Sequence, residues 1–190
     1  MTEPHMRAAL AAALTLALTA CTPAPPPSQP AAEPPAAPPT PSPSAAAAPT
    51  SAADAAALAA APLPDGQWFF RADESVFAAG FGAPQSEFQF AVSCNGGSGA
   101  VQIMSAHELA PDQPVTLTIV TAAQTIDLAA NSFNEGLASV NAELADAAPE
   151  KAALIAALTQ TQARIGVRVR DETHVYAWDE ALTRALAPCR

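Results

Sequence analysis

Few side chains in this chain are placed to do chemistry. Ser98 sits among glycines in "GGSGA", Gly96 to Ala100, a setting that could expose a nucleophile. Such an elbow needs a strand before the serine and a helix after it. Val101 and Ile103 instead alternate like a strand, so the stretch reads as a hairpin turn. His107-Glu108 lacks the second histidine four residues on that a zinc-protease helix requires. Beyond residue 21 the histidines are His107 and His174, too few for a structural zinc set once the cysteines are committed elsewhere. His174 lies in "THVYAW", where an exposed or partly packed ring is the ordinary outcome. No carboxylate pair is singled out by spacing as an acid/base couple, and no phosphate-cradling loop precedes a helix. The expectation is a domain without catalytic residues, metal or cofactor.

Three cysteines remain: Cys21, Cys94 and Cys189. Cys21 ends an oily segment. Ala8 to Leu18 is eleven residues without a charge, preceded by Arg7. A membrane-spanning helix needs about 20 apolar residues, whereas the apolar part of a secretion signal takes about 7–15. The segment closes on Leu18-Thr19-Ala20-Cys21. That quartet resembles the lipobox of bacterial lipoproteins, with Thr19 standing where Ser or Ala is commoner. The resemblance implies cleavage before Cys21, a diacylglycerol on its thiol and, as a rule, an acylated amino group. Residues 1–20 are then the signal peptide. Thr22 lacks the aspartate that holds lipoproteins of enteric bacteria in the inner membrane, so the resemblance places the anchor in the outer membrane, facing the periplasm. The alternative is an ordinary signal peptide with Cys21 incidental.

With Cys21 carrying lipid, Cys94 and Cys189 are left as a pair, expected to bond in an oxidising compartment. Closing so long a loop is worth about 4–5 kcal/mol in the chain-entropy model. The alternative is two buried thiols that never meet.

Residues 21–64 read as a disordered Pro/Ala-rich tether. Fourteen of the 20 prolines fall between Pro23 and Pro64, and Glu33 and Asp54 are the only charges. Proline fixes φ and removes donors, which excludes a sheet or long helix across the stretch. "SAADAAALAAA", from Ser51, favours a brief helix that would be marginal alone. The expected role is reach, roughly 130 Å as polyproline helix. A Pro-rich ligand is the weaker reading, because no basic residue flanks the prolines.

Residues 65–190 form the globular body. Aromatics cluster between Trp68 and Phe90. "SEFQFAVSC" alternates Phe88, Phe90 and Val92, and "AVQIMSA" follows the Gly-rich turn, predicting a hairpin. "PVTLTIVT" and "QTIDLAA" predict a second pair, though Ala122-Ala123 is poor turn chemistry. "LASVNAEL" and "RIGVRVR" predict further strands, the latter pairing with "THVYAW" across Asp171-Glu172. "PEKAALIAALTQTQ" and "DEALTRALA" predict helices with leucines four apart, opened by Pro149 and capped by Asp179. The fold class is mostly β (α+β), a small curled antiparallel sheet or sandwich with two short helices.

This body holds 15 of the 18 acidic and 7 of the 8 basic residues. Such a balance disfavours nucleic acid and anionic lipid surfaces. The expected role is therefore a lipid-anchored domain that binds an envelope protein or the cell wall. One alternative rests on "FQFAVSCNGGSGAVQI" with its closing cysteine, which is similar to the membrane-bound lysozyme inhibitor family and implies inhibition of a cell-wall hydrolase. The Ser-Gly-x-x-Tyr-type loop of those inhibitors is absent, and Tyr176, the single tyrosine, follows no such stretch. An envelope enzyme of unrecognised type is the other alternative.

Overall fold

A computed structural model describes residues 47–190 except 85–86, 135 and 161–162. Residues 1–20, expected to be a signal peptide, Cys21 and the expected tether as far as residue 46 lie outside the described residues. In chain order the elements are β1 (Ala48–Pro49), α1 (Ala52–Ala60), β2 (Gln67–Asp73), β3 (Val76–Gly82), β4 (Phe90–Asn95) and β5 (Val101–Ala106). They continue with β6 (Pro114–Val120), β7 (Gln124–Phe133), β8 (Ser139–Leu144), α2 (Pro149–Thr159), β9 (Arg164–Val169), β10 (Glu172–Ala177) and α3 (Glu180–Leu186).

All strands join one antiparallel sheet in the order β10-β9-β6-β7-β8-β5-β4-β3-β2, with the short β1 added beside β7. Several strands bury alternate residues. β7 turns Ile126, Leu128, Ala130 and Ser132 inward, and β4 turns Phe90, Val92 and Cys94 inward. Period-two patterning on a sheet covered on its concave side gives that result. The cover is α2 and α3, whose Leu154, Leu158, Leu182 and Leu186 are fully buried. Asp179 caps α3 by accepting from the Ala181 amide at 2.8 Å.

The sheet curls until its two end strands meet. Trp68 of β2 donates its indole N–H to the Ala177 carbonyl of β10 at 2.7 Å. Tyr176 stacks on Phe90 with ring centroids 5.2 Å apart and packs against Phe81 at 5.1 Å. A sandwich is therefore excluded; the architecture is a curled half-barrel.

Two expectations need correction. The described domain does not begin at residue 65, because β1 and α1 belong to it, and α1 brings the α-helices among the described residues to three rather than two, with a 3-10 turn at Ala187–Cys189 after the last. α1 lies against β9, where Arg164, Gly166 and Arg168 all turn toward it. Leu58 is buried over Gly166, whose missing Cβ would stand 3.2 Å from Leu58 Cδ1. Arg164 donates to the Leu58 carbonyl at 3.3 Å, and Arg168 pairs with Asp54 at 2.8 Å. Packing supplies what an isolated alanine helix of this length lacks.

The second correction concerns the last hairpin. Its turn is Arg170-Asp171, with Arg170 at φ +54°, and Glu172 is already in β10 opposite Val169. That one-residue difference sets Glu172, His174 and Tyr176 on the same face. The poor Ala122-Ala123 turn is closed by Thr121, whose hydroxyl donates to the Gln124 carbonyl at 2.9 Å and accepts from the Gln124 amide at 3.1 Å.

Candidate functional site

The inner face of the half-barrel changes from apolar to polar toward one end. β5 presents Val101, Ile103 and Ser105 in turn, and His107 continues the row two residues further on. β10 presents Tyr176, then His174, then Glu172. The curl brings the polar ends of these two rows together, although four strands separate β5 from β10 in the sheet.

His107 is the buried member. Its side chain is 1% exposed, against 33% for His174 and 61% for Glu172. The two imidazole rings lie 4.5 Å apart by centroid. Glu172 bridges them, with Oε1 at 2.8 Å from His174 Nε2 and Oε2 at 3.6 Å from His107 Nδ1. The first is a hydrogen bond and the second is too long for one. Both ring nitrogens of His107 are buried without a hydrogen-bond partner among the described residues. Each such unpaired group costs on the order of 1–3 kcal/mol, so a native domain rarely leaves several in one place.

Its surroundings favour the neutral form of His107. Burial, and then the neighbouring His174, hold its pKa below the ordinary histidine range, while Glu172 pulls the other way. A neutral imidazole offers one lone pair. Deeper in, burial pushes the Tyr176 phenol up to about 12, with the Ser105 hydroxyl working against it. The phenol leans on the Gln89 carbonyl at 3.4 Å.

A groove of about 370 Å³ opens beside His174 and Tyr176, lined also by Pro62, Leu63, Pro64 and Gln89. The proline segment read as the end of the tether thus forms one wall of it.

Among the described residues, His107, Glu172 and His174 are grouped so that one nitrogen or oxygen atom from each lies within 4.8 Å of the others. Read separately, each histidine was unremarkable in the sequence. The usable signal was phase: His107 falls in step with Val101 and Ile103, as His174 does with Tyr176.

The other sequence candidates are placed as follows. Cys94 and Cys189 meet, with Sγ–Sγ 2.08 Å. This joins the end of β4 to the turn after α3. The Gly96–Ala100 stretch is a hairpin turn, in which Asn95 Oδ1 accepts from the Gly97 and Ser98 amides at 3.0 and 3.1 Å. A strand follows it rather than a helix, so Ser98 is in no nucleophile elbow. Comparison with protein-family models, with curated proteins and with solved structures finds no match to this chain.

Proposed function

We propose that this chain is an envelope lipoprotein, held by lipid on Cys21 in the outer membrane and displaying the half-barrel in the periplasm as a binding domain rather than an enzyme. The observation that carries this reading is the division of the cysteines. Cys94 and Cys189 stand at bonding distance, as suits an oxidising compartment. That leaves Cys21 as the odd thiol at the end of a lipobox-like quartet. No helix among the described residues is long and apolar enough to cross a membrane. Stable attachment needs two or more acyl chains, which the lipoprotein modification supplies. The partner is an envelope protein or the cell wall.

The test is metabolic labelling with a fatty acid followed by membrane fractionation. Wild type should carry label and sediment with membranes. Cys21→Ala should lose the label and leave the membrane fraction. Equal membrane association of the two without label would overturn the reading.

A further inference from the structure

We propose that His107, Glu172 and His174 form a binding site for a divalent transition-metal ion of the zinc class. Two imidazoles and one carboxylate suit zinc and its neighbours, whereas calcium and magnesium select all-oxygen sets. The independent sign of a ligand is His107 itself: its side chain is 1% exposed and neither ring nitrogen has a hydrogen-bond partner among the described residues. A ring facing a carboxylate and a second imidazole without bonding either is placed as a metal ligand is placed.

The distances fit. Zinc–ligand bonds of about 2.0–2.2 Å set tetrahedral ligand atoms roughly 3.3–3.6 Å apart. Here Glu172 Oε1 lies 2.8 Å from His174 Nε2 and its other oxygen, Oε2, 3.6 Å from His107 Nδ1, and one donor atom from each residue lies within 4.8 Å of the others. Closing on an ion asks for shifts of the order of 1 Å from His174 and Glu172. Those are the two exposed members, while packing fixes His107. The exposed carboxylate gives the ion a path in, and the domain's excess of acidic side chains favours cations. Three protein ligands leave a fourth position for water or for a donor group of a partner. None of this depends on the lipid anchor.

The test uses the full chain, stripped with chelator and titrated with zinc chloride in a calorimeter, with magnesium chloride as the control. Wild type should take up one zinc per chain and no magnesium at that site. His107→Ala removes a buried ring and risks misfolding, so the exposed variants carry the test. His174→Ala and Glu172→Gln, with unchanged circular dichroism, should each weaken zinc binding by at least about tenfold. Absence of saturable one-to-one binding by wild type would overturn the proposal, as would unchanged affinity in either variant.

Discussion

Trp68 and Ala177, from opposite ends of the sheet, are joined by a 2.7 Å hydrogen bond from indole to carbonyl. This bond is where the half-barrel closes, and it holds β10 in the position that lets His174 reach His107. Trp68 also meets Phe81 and Phe90 edge-on at 5.7 and 5.9 Å. Trp68→Phe removes the donor and part of the ring contact. The expected loss is about 1–3 kcal/mol, read as a lower urea midpoint. An unchanged midpoint would show that the seam contributes nothing.

Leu58 is the apolar anchor of α1, resting over Gly166. Leu58→Ala should cost about 2–3 kcal/mol of helix docking. Proteolysis should then cut between Ser51 and Ala61 while the sheet stays intact. Resistance equal to wild type would mean that α1 is held by its polar contacts alone.

The same helix should loosen in acid. Asp54 has its pKa lowered by the Ser51 hydroxyl and then by Arg168. A carboxyl whose folded pKa lies below its unfolded value stabilises the folded form above that unfolded value, near 4, and the contribution is lost as pH falls through the folded pKa. Protection of the α1 amides, each exchange rate taken relative to its intrinsic rate at that pH, should therefore fall on going from about pH 5 to pH 3. Asp54→Asn should show a weaker dependence than wild type over that range. Parallel profiles would contradict the assignment.

Cys94 and Cys189 close a loop with a sequence separation of 95. Chain entropy assigns such a closure about 4–5 kcal/mol. The double variant Cys94→Ser, Cys189→Ser should unfold at distinctly lower urea, and reductant should shift wild type but not the variant. Identical midpoints for wild type and the variant would remove the bridge from the account of stability.

Much of this fold is legible in local pattern. Phe90 and Val92 alternate before an Asn/Gly turn, and Val101 and Ile103 alternate after it, so β4 and β5 announce their hairpin. The β2–β3 hairpin does not, because Trp68-Phe69-Phe70 is a contiguous aromatic run without a period of two. α1 looked marginal because its stability comes from Leu58 meeting a glycine on β9, a fit between distant segments. The site was hidden for the same reason. His107 follows β5 and Glu172 opens β10, strands that are not neighbours in the sheet, and a turn placed one residue late would point Glu172 away. Only the closing of the curl puts them together.

Anchoring at Cys21 is the central claim, and intact-mass analysis of the native protein's amino terminus tests it most directly. The mature chain is predicted to begin at Cys21, with a diacylglyceryl thioether and an acylated amino group. A chain that begins upstream of Cys21, or one whose Cys21 thiol is unmodified, would contradict the account.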